Sequence, residues 1–496
     1  MHTSLSSKVR RLLNPLHRSL RSLRTLRTGT PAVRRSFAAA ASNRLVDWIL
    51  SGSSVTGQLK MDYSRLTQRA RELALNNQFC IGYLTSLKRN VLGVDGFTLQ
   101  PFSTHKKRIK EEWQKYTSAV NGYITIDEIG GGRDFDHLIL RTLAVDGEVF
   151  IRRVEDLSSP YLYRYELLDS LDIDPLYNET RADGTAVVMG IELDQRGRET
   201  GYYYRNRKKD HLDTYHTGEL EYIPAGEIFH IFRRLFPDQI RGYTSFAGVI
   251  MDIHNLDEYK QAEIVHSRIQ ACAMGIWERD GSAIGDAMDE ETGPNGEIAT
   301  SMAPGMFMFA PKGYKATYLP ASSPNNQFGI FWKSVMRGIC AALGVSYNKA
   351  AGDFEGVNYS SLREAAIEDR AEFEELQKFI IERWKDLQYR GFLEAILPGI
   401  WTSNLAHRFY GRRFDWVDPQ KDAAELREKL DMKLTDPITE LYRRGLDPEE
   451  VLSNWAEWNT LLKKYLQPSD KSEPLARHSL GEGGSEKSDT TMGTAT

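Results

Sequence analysis

The chain has 496 residues, 41% hydrophobic and 27% charged, enough apolar material for several packed modules. No stretch approaches the roughly 18 uncharged apolar residues of a membrane-spanning helix, and the three cysteines, Cys80, Cys272 and Cys340, lie too far apart for a Cys-x-x-Cys pair or a thiolate zinc site. A wholly disordered chain, a helical membrane protein and a disulfide framework are thereby excluded, and the chain reads as kept in a reducing cytosol.

The net charge of −4 conceals a division. Residues 1–46 carry ten Lys or Arg, among them Lys8, Arg10, Arg34, Arg35 and Arg44, and the first acid is Asp47; the remainder holds 54 basic against 68 acidic residues, a body of −14. Such a body repels phosphate on average and does not hold nucleic acid tightly by counterion release, whereas the arm is able to. The arm also has the Arg-, Ser- and Leu-rich make-up of a transit peptide. Its composition fits a mobile basic tail, a contact to nucleic acid or an acidic assembly partner, or a cleaved targeting segment. From Val46 to about Gln100, apolar residues at helical spacing (Leu66, Leu73, Ile81, Leu84, Leu87, Val91) predict two packed helices stopped by Gly93 and Gly96. Further helices are predicted over 105–118 and from Phe135 to Val145. Between Glu148 and Arg234 the period shortens around Val149, Ile151 and Val154, 162–168, 187–193, Tyr202 to Tyr204 and Ile228 to Phe232, with turns at Asp146-Gly147, Asp183-Gly184 and Gly197. This section is β-rich.

After Arg241-Gly242 the helical period returns, with Thr244 or Ser245 as cap and Phe246, Val249, Ile250, Ile253, Leu256, Ile264 and Ile269 on one side through Met274. The other faces carry His254, Asp257, Glu258, Lys260, Glu263, His266 and Arg268, so the helix is expected to stand against copies of itself or a partner. Residues 278–324 contain eleven Gly or Pro, an acidic run (Asp286, Asp289, Glu290, Glu291) and one apolar piece at 306–309, the pattern of a small protruding module. A helix over 326–343 ends at Gly344; a Gly, Asn and Asp loop follows; then Ser360 and Ser361 cap the longest helix, 360–396, which Pro398 terminates. Short amphipathic helices are predicted from Asn404 to Leu466, and 468–496 has the composition of a disordered tail.

The motifs of chemistry are missing. There is no Gly-Lys dipeptide and hence no phosphate-cradling ATPase loop, no His-Glu-x-x-His, no Gly-x-Ser-x-Gly and no Gly-x-Gly-x-x-Gly. Asp134-Phe135-Asp136-His137 reads as the acidic start of a helix rather than a metal site, Asp172 and Asp174 as an exposed strand-to-turn junction, and the acidic run as a charged surface or docking patch. No catalytic residue, cofactor or metal is expected.

Several strings occur in a telling order: Asn76-Asn77, Val91-Leu92-Gly93, Asp146-Gly147-Glu148-Val149-Phe150, 228–234 (Ile-Phe-His-Ile-Phe-Arg-Arg), Pro237-x-Gln239-x-Arg241-Gly242, Leu343-Gly344-Val345-Ser346-Tyr347, Gly352-Asp353-Phe354, Asn358-Tyr359-Ser360-Ser361-x-Arg363 and Trp416-Val417-Asp418-Pro419. Over about residues 46–455 the chain resembles the portal proteins of lambda-type tailed bacteriophages. The resemblance implies a non-enzymatic, α+β, mainly helical protomer with wing, stem, clip and crown. It implies a dodecameric ring at one capsid vertex, a virion component assembled in the host cytoplasm and away from membranes. Double-stranded DNA would pass through the ring without sequence specificity during packaging and ejection. The implied partners are the terminase large subunit, head-completion or adaptor proteins and the major capsid or scaffold protein, with the ring nucleating procapsid assembly. In those terms 1–46 is the arm, 47–243 the wing, 244–275 a stem helix, 276–325 the clip, 326–344 the second stem helix, 345–359 the tunnel loop, 360–398 the long wing helix, 399–467 the helical crown and 468–496 the tail. Lys349, Asp353, Glu355 and Asn358 would face DNA in the tunnel loop, with Lys349 able to touch phosphate and Asp353 and Glu355 opposing tight binding; Asp289, Glu290, Glu291 and Tyr314 would dock partners at the clip. The residues alone leave open an organelle-imported soluble protein, suggested by the arm, and a metal-dependent DNA-processing enzyme.

Overall fold

A computed structural model describes residues 52–207, 214–215, 217–271, 275–279, 314–318, 327–355, 357–414, 419–444 and 446–465. The arm, the tail and the acidic run of Asp289, Glu290 and Glu291 lie outside the described residues. The chain divides into a unit of residues 1–58, of which only the start of the first helix is described, and a unit of residues 59–496 that holds everything below.

Helix α1 (Val55–Asn76) is followed at once by α2 (Gln78–Leu87), because Asn77 turns the chain and its carboxamide accepts from the Cys80 amide at 2.9 Å, an N-cap. A π turn, Lys88–Leu92, extends α2 to Gly93, whose φ of +68° ends it as predicted. β1 (Thr98–Pro101), α3 (Lys106–Thr117) and α4 (Gly132–Val145) come next. The antiparallel sheet β3-β2-β9 (Tyr163–Leu168, Glu148–Glu155, Ile228–Phe232) then forms the centre of this part of the fold. Val149 and Ile151 of β2 face the main core, and Phe150 faces a second core beneath a five-stranded antiparallel sheet. Burial on both faces explains why 148–151 lacks alternation in the sequence. That second sheet is a meander, β4 (Glu179–Thr180), β5 (Ala186–Val188), β6 (Ile191–Leu193), β7 (Glu199–Arg205) and β8 (Leu220–Pro224).

Helix α5 runs Ile250–Ala271 and does not begin at Thr244 or Ser245. Residues 244–249 form turns instead, in which the Thr244 hydroxyl accepts from the Phe246 amide at 3.1 Å, so the polar residue that looked like a cap serves a turn one step earlier. β10 (Gly275–Arg279) and β11 (Tyr314–Tyr318) pair antiparallel, with Arg279 opposite Tyr314. Helix α6 (Phe328–Ala342) ends at Leu343-Gly344, and Gly344 has φ +66°. Tyr259 of α5 meets Phe328 and Phe331 of α6, while Ile253 and Met336 line a common cleft, so the two helices run antiparallel. The segment read as a loop contains a short helix, α7 (Tyr347–Ala351). Helix α8 (Tyr359–Ile380), a π turn (Ile381–Lys385) and α9 (Asp386–Ile396) make the predicted long helix. Its cap is Asn358, whose side chain accepts from the Ser361 amide at 2.8 Å, not Ser360 or Ser361.

The region predicted as helices from Asn404 holds strand β12 (His407–Tyr410), which pairs with β1 across some 300 residues of sequence, Leu99 opposite Phe409. Helices α10 (Pro419–Asp431), α11 (Pro437–Arg443) and α12 (Pro448–Tyr465) complete the chain. An α+β, mainly helical fold is what the sequence predicts. No helix among the described residues is long and apolar enough to cross a membrane.

Candidate channel loop and the motif core beneath it

Three of the strings, those at 146–150, 228–234 and 237–242, meet in space. Glu148 and Arg241 are both fully buried, 93 positions apart, and the Arg241 Nε donates to Glu148 Oε1 at 2.7 Å. The rest of the guanidinium is used as fully: Nη1 donates to the carbonyls of Ile173 (3.1 Å) and Met189 (2.7 Å), and Nη2 to the Ser170 carbonyl (2.7 Å) and the Tyr63 hydroxyl (3.1 Å). The second carboxylate oxygen of Glu148 accepts from the Gly242 amide at 2.9 Å and meets His230 Nε2 at 3.0 Å, and His230 Nδ1 lies 2.9 Å from Glu199. Burial alone would raise the Glu148 carboxyl, but the Arg241 charge and the His230 contact outweigh it and hold it down to about 2. The glycines are required by contact: a Cβ on Gly242 would stand 2.2 Å from the Gly147 carbonyl oxygen, and one on Gly147, whose φ is +89°, 2.0 Å from the Tyr243 backbone. Asp-Gly-Glu and Arg-Gly are therefore two halves of one lock that joins the sheet to the segment leading into α5.

The acids weighed as metal ligands are engaged otherwise. Asp134 accepts from the Gly131 amide at 3.0 Å, as the start of a helix predicts. Asp136 instead forms a buried ion pair with Lys385 (3.1 Å) and accepts from Trp384 Nε1 at 3.1 Å. Asp172 and Asp174 are not exposed, as the sequence suggests, but each about 2% exposed and bound by Arg207 and Arg205. Among the described residues no group of His, Cys, Asp and Glu is arranged to hold a metal ion.

The loop between α6 and α8 is built on Asp369 of α8. Its carboxylate, 5% exposed, accepts from the Ser346 amide (2.8 Å) and hydroxyl (2.7 Å) and pairs with Lys349 Nζ at 3.0 Å. On the other side Lys333 of α6 pairs with Asp353 at 2.8 Å, and Asp353 also accepts from the Tyr347 hydroxyl at 2.9 Å and the Glu355 amide at 3.1 Å. Those hydrogen bonds, that of Lys333 foremost, hold the Asp353 carboxyl down to about 2. Gly352 takes φ +66°, and a Cβ placed on it would meet nothing within 4 Å, so the glycine serves the turn and not a close approach. Of the four loop residues singled out from sequence, then, Lys349 and Asp353 are engaged within the fold and Asn358 is a helix cap. Glu355 is 89% exposed and lies 3.9 Å from Lys333. Asp369 and Lys333 carry no signal in the sequence, since they lie on the flanking helices and share no motif with the loop. Tyr314 is placed by its strand register alone.

Residues 41–377, more than half of the chain, match the family described as phage portal protein, lambda family. The chain belongs to that family. It is 28% identical over 477 residues to the probable portal protein of Halomonas phage phiHAP-1, covering 90% of each chain. It is 22% identical over 468 residues to portal protein B of Escherichia phage lambda, covering 83% of this chain and 86% of that one. Among solved structures it aligns with a chain from the neck of an empty GTA particle at a TM-score of 0.46 and 14% identity, over 78% of this chain and 94% of that one. This portal protein is a structural component of the phage particle and not an enzyme; its place is the capsid vertex where head and tail connect, and its family works as oligomeric rings.

Proposed function

We propose that copies of this portal protein close into a dodecameric ring at one vertex of the procapsid, with double-stranded DNA passing through the centre. In this reading α1–α4, the two sheets and α8–α9 make the wing, α5 and α6 the stem, residues 276–325 the clip and α10–α12 the crown. The observation that carries it is the apolar surface left on the antiparallel pair α5 and α6. Met251 (55% exposed), Val265 (49%) and Ile330 (67%) lie exposed along helices that meet each other elsewhere, and Phe331, although it meets Tyr259, is still 53% exposed. A helix pair of this kind is stable in water when neighbours cover it, and identical neighbours closing around an axis do so without leaving an open end.

The loop of residues 345–359 is the tunnel loop of this ring. Its described cation, Lys349, is held by Asp369, and Glu355 faces solvent, so the loop offers DNA a surface that opposes firm phosphate binding. Sliding requires this: affinity climbs steeply with each fixed phosphate contact. The clip docks the terminase large subunit during packaging and head-completion or adaptor proteins afterwards, through the acidic Asp289, Glu290 and Glu291 and through Tyr314. The ring nucleates procapsid assembly on the capsid or scaffold protein in the host cytoplasm. Deletion of residues 350–357 is expected to leave rings intact while packaged DNA falls or leaks; rings that fail to form would place the loop in the structural core instead. Charge reversal at Asp289, Glu290 and Glu291 is expected to weaken terminase docking without preventing ring formation.

A further inference from the structure

Helix α12 is fixed at its first turn and bare along the rest. Asp447, just before it, accepts from Lys110 (2.7 Å) and Gln100 (3.0 Å), and burial and these contacts together leave its carboxyl at about 2, held down by Lys110 and Gln100 against the burial. Beyond that anchor every described residue from 452 to 465 except Leu462 is exposed, including Leu452 (68%), Trp455 (61%), Trp458 (55%), Leu461 (41%) and Tyr465 (72%). Their spacing is ordered. Val451, Trp455, Trp458, Leu462 and Tyr465 follow one another by four, three, four and three residues, the a/d seam of a coiled coil. Leu452 and Leu461 flank that seam on opposite sides, so the uncharged arc covers roughly half the circumference of the helix. Glu457, Lys463 and Lys464 all fall on the other half.

We infer that α12 is an inter-subunit seam, in which the α12 helices of adjacent copies pack side by side through Trp455, Trp458 and Leu462. Three features select a second copy as the occupant. A repeat of a/d positions is matched by another helix with the same repeat. An arc of this width, flanked by leucine on both sides, is wider than one partner covers and fits a helix with a neighbour on each side. And the Asp447 anchor sets the height and direction of α12 alike in every copy, so a ring brings the same turns together. The inference rests on the ring reading and goes beyond it by assigning this contact to the last described helix.

The test is cross-linking of assembled full-length protein with a short bis-maleimide, in a Cys272→Ser background in which Cys80 and Cys340 are buried. Trp458→Cys, with Leu462→Cys as the alternative on the same stripe, is expected to convert most chains to covalent dimers of neighbours within the ring, one linker joining one thiol from each of two copies. Thr460→Cys, on the polar side, is expected to give a background at least tenfold lower. Rings that form normally but link equally at 458 and 460, or at neither 458 nor 462, overturn the seam and leave the ring reading intact. Linking that vanishes on dilution while rings persist marks a contact between rings and also overturns it. An unsubstituted chain that forms no rings overturns both.

Discussion

Replacing Arg241 with Met tests whether the Glu148–Arg241 lock holds the two sheets to the segment that leads into α5. Met fills much of the volume of the aliphatic stem but removes the charge and every donor. Glu148, fully buried, keeps only His230, Tyr63 and the Gly242 amide, and the carbonyls of Ser170, Ile173 and Met189 lose their partner. Stripping one member from a buried ion pair costs about 3–5 kcal/mol. Each orphaned carbonyl adds about 1–3 kcal/mol unless water reaches it. Because these terms share one site and do not add, a loss of about 4 kcal/mol is the expected net. That is roughly a thousandfold in the population of the locally open state, and hydrogen exchange of the β2 and β9 amides reads it directly. The double variant Arg241→Met with Glu148→Gln removes the uncompensated charge and is expected to recover about 2 kcal/mol of the loss. A single variant that exchanges within fivefold of the parent, or a double variant no better than the single, would refute the lock.

Further outcomes follow from the same geometry. Burial alone would lower the His230 pKa, but the facing carboxylates of Glu148 and Glu199 outweigh it and raise it, so its contribution is complete below its unfolded value of about 6.5 and is lost as the pH climbs through the raised folded value. Denaturant midpoints should fall over that alkaline window, and His230→Gln should flatten the fall; a slope unchanged by the substitution would count against the pairing. Glu148 works in the opposite direction, its share being present above its unfolded value near 4.5 and lost as the pH drops towards about 2. Gly242→Ala drives a methyl to 2.2 Å from the Gly147 carbonyl and should abolish soluble, folded protein. Gly226→Ala, which meets nothing within 4 Å, should change stability by less than about 0.5 kcal/mol in the same expression and melting assay. Lys385→Met leaves Asp136 buried beside Trp384 and is expected to cost about 3–5 kcal/mol, recovered in part by Asp136→Leu in the same chain, as read by thermal melting of the two variants.

Much of the fold was legible because its signals are local. Glycines 93 and 344 end helices where their positions in the sequence say, and the run 228–232, apolar at every position but His230, is a strand. What was not legible depends on partners far away in the chain. Nothing near Asp172 and Asp174 announces Arg207 and Arg205, so two deeply buried carboxylates read as surface. β12 is four residues long and becomes a strand by pairing with β1, hence its reading as part of a helical region. The loop was found by its glycines and by a family string, while the side chains that hold it, Asp369 and Lys333, sit on helices where an acid or a lysine is unremarkable in sequence. Three of the strings, at 146–150, 228–234 and 237–242, are the meeting points of one lock, so these distant segments share a structural role.

In the proposed ring, apolar surface left open on one chain is closed by identical neighbours around a hole wide enough for duplex DNA. Electron microscopy of the purified full-length protein addresses it most directly. Circular particles of uniform subunit number with a central channel are the predicted result; a discrete monomer at every concentration, with no annular particles, would contradict it.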